Sequence, residues 1–158
     1  MKLINKRTMP PMTKIGFYND GCSFLPKERR RIRRWLVETA DAEGFLITDL
    51  NYIFCSAEVH REMNRQFLGH DYFTDVITFD YGSRREHRAS GDIFIDVETV
   101  ADNARIYKTP RRTEMLRVIV HGLLHLCGQK DKTPRTEAQM HRKEDKYLAL
   151  YARMNDAE

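Results

Sequence analysis

Apolar positions recur along this chain at two periods, and the switches between them mark out its elements. Residues 14–20 (KIGFYND) read as a short strand ending in a turn at Asp20–Gly21. From Pro26 to Gly44, residues Ile32, Trp35, Leu36 and Thr39 share one side at helical spacing. That segment predicts an amphipathic helix with proline at its start and glycine past its end. Residues 45–55, rich in β-branched and aromatic side chains, predict a second strand. A second helix is expected over 56–69, with Ser56 as its N-cap and Gly69 as its stop. Residues 75–82 and 91–97 predict two further strands. The basic, polar loop joining them, 83–90, is long for a hairpin and so is expected to be exposed or to face substrate. Asp96 to Lys108 can form a third helix, Pro110 to Gly128 a fourth, and Pro134 precedes a fifth. Strands and helices alternate early and helices dominate late, which predicts a small sheet with helices packed on it. The pattern leaves the strand order open.

Composition narrows the class without naming a chemistry. The 158 residues are 41% hydrophobic and 32% charged, as in an ordinary globular chain, and are read as one domain, 1–158. Every apolar run falls far short of the ~20 residues that cross a bilayer. The start, MKLINKRTMPPMTK, has positive charge but no apolar core of a secretory signal. Cys22, Cys55 and Cys127 are odd in number and unpatterned, so free thiols in a cytoplasmic setting are expected. The net charge of +4 comes partly from Arg29, Arg30, Arg31, Arg33 and Arg34 around the apolar stripe of the first helix. They form either a phosphate-binding face or, more plainly, a solvated outer face.

The chemistry concentrates in VIVHGLLHLCGQKDKTP, residues 118–134. On a helix, His121 and His125 lie ~6 Å apart along the axis and within ~40° of one another. Two imidazoles so placed can reach one cation at ~2.0–2.1 Å each. The surrounding Val118, Ile119, Leu123, Leu124 and Leu126 would bury an unpartnered pair at a cost that a cation removes. Gly128 can take positive φ and turn the chain back over the histidines, which makes Asp131 the natural third ligand. Three protein ligands leave a fourth position for water, the pattern of a catalytic zinc. The residue after the first histidine is Gly122, where H-E-x-x-H metallopeptidases place their general base. Base work therefore falls to metal-bound water, acidified by the ion.

The segment HGLLHLCGQKD resembles the H-G-x-L-H-L-x-G-Y-D-H signature of the YbeY family of bacterial rRNA-maturation endoribonucleases. His121, Gly122, Leu124, His125, Leu126 and Gly128 match it in spacing. Residues 63–80 are similar to a second family block through Asn64, Asp71, Thr74, Asp75, Val76 and Phe79, and GDIFID (91–96) to a third. The resemblance spans about residues 45 to 150. It implies an α+β, zincin-like fold: a small mixed sheet of about four strands flanked by about five helices. It also implies one Zn²⁺ per chain on His121, His125 and Asp131. The activity implied is hydrolysis of single-stranded RNA in small-subunit rRNA 3′-end maturation and ribosome quality control, with rRNA and the ribosome or its proteins as partners.

The chain departs from the family pattern in three ways. The third metal position, usually histidine, is Asp131. The tyrosine and aspartate before it are Gln129 and Lys130. The family's arginine in the second block falls on Leu68. Arg65, three residues earlier on the expected helix, is a candidate phosphate contact in its place. Asp75 and Asp92 are read as turn or strand-end caps. Two other readings stay open: a non-catalytic ribosome-assembly or RNA-binding factor with a structural zinc, and a two-histidine, one-carboxylate iron site.

Overall fold

The structure, a computed structural model, describes residues 13–68 and 75–154. Its elements are β1 (Lys14–Asp20), α1 (Arg29–Ala42), β2 (Leu46–Cys55), α2 (Ala57–Leu68) and β3 (Val76–Asp80). They continue with β4 (Arg88–Asp96), α3 (Val97–Tyr107), α4 (Arg111–Leu126) and α5 (Pro134–Arg153). Among the described residues the strands form one sheet in the order β1-β2-β4-β3. β1–β2 and β2–β4 pair parallel across helical crossovers, and β3–β4 pair antiparallel across the loop 81–87. The expected α+β fold with a mixed sheet and five helices is present. The N-terminal residues 1–12, the predicted stop at Gly69, and Asp71 and Thr74 of the second family block lie outside the described residues.

Two boundaries differ from the sequence reading. α1 begins at Arg29, three residues after Pro26, because Glu28 is in the left-handed region (φ 59°, ψ 42°) and ends any earlier helical run. β4 begins at Arg88, three residues before Gly91, because Ser83 and Arg88 exchange backbone hydrogen bonds at 3.0 and 2.8 Å and tighten the hairpin. Elsewhere the local signals hold. The Ser56 hydroxyl accepts from the Val59 N–H at 3.2 Å. The Asp96 carboxylate caps α3 by accepting from Glu98 and Thr99.

The predicted stripe of α1 is its buried face: Ile32, Trp35, Leu36 and Thr39 are all interior. The Trp35 indole donates to the Tyr147 carbonyl at 2.7 Å and ties α1 to α5. The arginines around it are more than a solvated rim. Arg31 donates to the Tyr151 carbonyl at 2.7 Å, Arg33 to that of Ile15 at 2.9 Å and Arg29 to that of Pro26 at 2.8 Å.

α4 is interior nearly all round, through Met115, Leu116, Val118 to Val120, and Gly122 to Leu124 with Leu126. Each such aliphatic side chain contributes about 1.5–3 kcal/mol when fully buried. The buried Tyr52 hydroxyl donates to the Ile119 carbonyl at 2.7 Å, joining the central strand β2 to this helix. A Cβ on Gly122 would stand 2.9 Å from Ile93 of β4. The position after the first histidine therefore packs on the sheet and has no room for a glutamate. α2 covers the other face: its Phe67 packs edge-on against Phe79, and Phe79 against Phe94, which alternates with Ile93 along β4. Among the described residues no helix is long and apolar enough to cross a membrane.

Candidate metal centre

His121 and His125 occupy consecutive turns of α4, with ring centroids 4.5 Å apart and planes at 86°. Each uses its Nδ1 elsewhere. The Nδ1–H of His121 donates to Oε2 of Glu144 at 2.6 Å, and that of His125 donates to the Gln129 carbonyl at 2.9 Å. Both partners are acceptors, so the proton sits on Nδ1 and the Nε2 lone pair is free. Both Nε2 atoms approach one oxygen, Oδ2 of Asp131, at 3.5 Å from His121 and 3.3 Å from His125. The three ligand atoms lie within 4.8 Å of one another. Two donors on ~2.0–2.1 Å bonds to a tetrahedral ion stand ~3.4 Å apart, so this donor set fits a zinc-sized cation.

The turn that delivers Asp131 follows from Gly128, whose φ is +92°. Gln129 N–H donates to the Leu124 carbonyl and Gly128 N–H to that of His125, both at 2.9 Å. This is the Schellman arrangement, which satisfies the last carbonyls and reverses the chain. The reversal places the Gln129 carbonyl on the His125 ring and Asp131 beyond it. Thr133 then caps α5 in a reciprocal pair with Thr136, with Pro134 at the first helical position.

Glu144 is the residue that the sequence reading missed. It is 2% exposed on α5, and Arg117 donates to its Oε1 at 3.0 Å, while His141 Nδ1 lies 3.2 Å from the same oxygen. Burial pushes its carboxyl up, yet the bond and charge of His121, with Arg117 and His141, hold it below the usual carboxylate range. Burial lowers His121, but the Glu144 hydrogen bond and charge outweigh this and raise it. His125 is lowered, by burial first and then by the charge of His121, against Asp131. A signal did exist. The buried face of α5 is Met140, Glu144, Tyr147 and Tyr151, so a carboxylate occupies one step of an apolar i, i+4, i+7 stripe. Cys127, whose thiol burial pushes up to about 12, is not among the three groups whose ligand atoms converge.

The two histidines border different hollows. His121 lines one of about 480 Å³ with Asp75, Asn103, Tyr107, Glu114 and Arg117. His125 lines one of about 290 Å³ with Lys130, Asp131, Lys132, Thr133 and Thr136. Asp75, expected as a cap, instead faces the first hollow, and its carboxylate makes no capping bond among the described residues. Asp92 is mid-strand and accepts from Asn51 at 3.1 Å. Arg65 lines neither hollow. It is exposed on α2, on the face of the sheet away from α4, and ion-paired with Glu62. From the basic loop, Arg84 reaches the end of α4: its Nε lies 3.3 Å from where a Cβ on Gly128 would stand.

The family described as Endoribonuclease YbeY matches residues 23–152. The chain is 46% identical to Endoribonuclease YbeY of Cytophaga hutchinsonii over 136 residues, covering 86% of this chain and 94% of that protein. It is 44% identical to Endoribonuclease YbeY of Porphyromonas gingivalis over 140 residues, covering 88% and 91%. Its fold is similar to the solution structure of TM1509 from Thermotoga maritima, with a TM-score of 0.61 and 28% identity, covering 87% of this chain and 89% of that one. With a family match across most of its length and a histidine pair poised for a cation, the chain belongs to the YbeY family of endoribonucleases.

Proposed function

We propose that the chain, acting as one domain, is a zinc-dependent endoribonuclease. Its substrate is single-stranded RNA at the 3′ end of small-subunit rRNA, met in the cytoplasm on the ribosome or its precursors. The observation that carries this reading is the convergence of two Nε2 atoms and Oδ2 of Asp131 while both Nδ1 atoms are engaged elsewhere. The 46% identity to a named endoribonuclease supplies the substrate class.

Bound there, zinc supplies a Lewis acid for a phosphoryl oxygen and makes water nucleophilic near neutral pH. The chain's own residues do the rest. Glu144 and the Gln129 carbonyl fix the tautomer and angle of the histidines, as hydrogen-bonded partners of metal-binding imidazoles do. Asp131 brings negative charge where the family more often has a neutral ring, so the developing charge on the phosphate needs a cation nearby. Arg84 takes that role in place of the arginine lost at Leu68, with Lys130 and Lys132 lining the hollow beside His125.

The test pairs metal analysis with cleavage. Chain loaded with one zinc should cut an unstructured rRNA 3′-end fragment and spare the same sequence annealed to its complement. His125→Ala should keep the fold and RNA binding while losing zinc and cleavage. RNA binding without turnover by zinc-loaded wild type would instead make the chain an assembly factor.

A further inference from the structure

The hollow beside His121 has polar and aromatic surface that the fold itself does not use. Glu114 is only 7% exposed, yet among the described residues no donor hydrogen-bonds its carboxyl. Its oxygens are not sealed in the core, and Glu114 lines the hollow, where a ligand or water can complete them. Burial raises its pKa above the usual carboxylate range, against the pull of Arg117, with Asp75 and Glu144 adding to the rise. Asn103 is half-buried on α3, and its amide has no partner among the described residues. Tyr107, four residues on and so on the same side of α3, is 65% exposed and stacks on no other ring. All three line one space of about 480 Å³ that ends at His121.

The charges of this hollow decide what it can hold. Asp75, Glu114 and Glu144 give it carboxyl groups, while Arg117 already donates to Glu144 and Asp145, and His141 lies against Glu144. A phosphate would meet repulsion. A nucleobase would not: it offers a flat face to Tyr107, amino hydrogens to a carboxyl, and an edge that an amide can pair. Glu114 precedes His121 by seven residues, hence nearly the same helix side and about 10 Å along the axis, within the reach of one nucleotide from phosphate to base.

We propose that this hollow is a base-binding subsite, in which Tyr107 stacks on one unpaired base beside the scissile phosphate. Glu114 and Asn103 read its edge and favour bases with an exocyclic amino group over uracil. The subsite rests on the endoribonuclease reading above and adds a sequence preference to it.

The experiment first maps the position cut in an unstructured RNA by zinc-loaded chain, then varies the bases flanking it one at a time. Wild type should disfavour uracil at one flanking position by about tenfold in kcat/KM. Glu114→Met should level that preference, and Asn103→Ala, on a half-exposed position, should reduce it even if Glu114→Met fails to fold. Tyr107→Ala should raise KM about tenfold with kcat little changed, and Tyr107→Phe should restore it. An unchanged base ratio in Asn103→Ala and any folded Glu114→Met, with an unchanged KM in Tyr107→Ala, overturns the subsite while leaving the nuclease intact. Should wild type cut no RNA, the endoribonuclease reading fails instead. Fluorescence anisotropy of the same RNAs then judges the subsite alone: about tenfold weaker binding by Tyr107→Ala supports it, and equal binding overturns it.

Discussion

His121 and His125 stand one turn apart on the same helix, yet they are held by different kinds of neighbour. His125 leans on its own helix end, through the Gln129 carbonyl of a glycine-made turn. His121 leans on α5, through a buried carboxylate that also carries Arg117 and lies against His141. One support is local and neutral, the other distant and charged. The histidine pair is thus anchored at one end by the cap of its helix and at the other by tertiary packing. The two anchors should break at different costs.

Glu144→Ala is the largest break. It leaves His121 and Arg117 without their shared acceptor, which should cost about 3 kcal/mol of stability, read by denaturant unfolding. Zinc affinity should fall 10–100-fold as His121 loses its orientation. Unchanged zinc affinity in a folded Glu144→Ala would show that the α5 anchor is dispensable.

Next comes the cation. Arg84→Ala should lower cleavage about tenfold and flatten the salt dependence of RNA binding by about one phosphate contact. Arg65→Ala, across the sheet and paired with Glu62, should do neither. The reverse outcome would return the phosphate contact to Arg65.

Gly128→Ala tests the local anchor. At φ +92° a Cβ should cost about 1–2 kcal/mol, with Arg84 also forced to give way. Zinc affinity should drop less than in Glu144→Ala, because Asp131 and the His121 support remain. A larger loss would reverse the ranking of the two anchors.

The smallest effect is in pH. In the metal-free chain His121 is raised above 6.5 and Glu144 held below 4.5. A raised histidine stabilises below its unfolded value and loses that contribution as pH rises through its folded one. A lowered carboxylate stabilises above its unfolded value and loses that as pH falls. This pair therefore contributes most between about pH 4.5 and 6.5. Zinc needs neutral imidazoles, so the melting temperature gained on loading should grow as pH rises past about 6.5. A gain independent of pH would speak against histidine ligation.

The same division explains what the sequence could disclose. His121, His125, Gly128 and Asp131 lie within eleven residues, and helical spacing with one glycine brings them together. The stripe of α1 and the cap at Ser56 are equally local, and both were legible; the Asp96 cap of α3 went unread within a helix expected to start at that residue. Glu144 enters from 23 residues away, and only the packing of α5 on α4 reveals its partner. Strand order depends on long-range pairing, and Arg65 and Asp75 depended on which face of the sheet each element covers. Even Gly122, read as an absent glutamate, has its reason in Ile93 of another element.

Zinc K-edge X-ray absorption on the singly loaded chain tests the centre most directly. Two imidazoles per zinc are expected, with only oxygen beside them, at about 2.0–2.1 Å, and that spectrum should be lost in Asp131→Ala. A sulfur shell near ~2.3 Å, placing Cys127 on the metal, or fewer than two imidazoles, would contradict it.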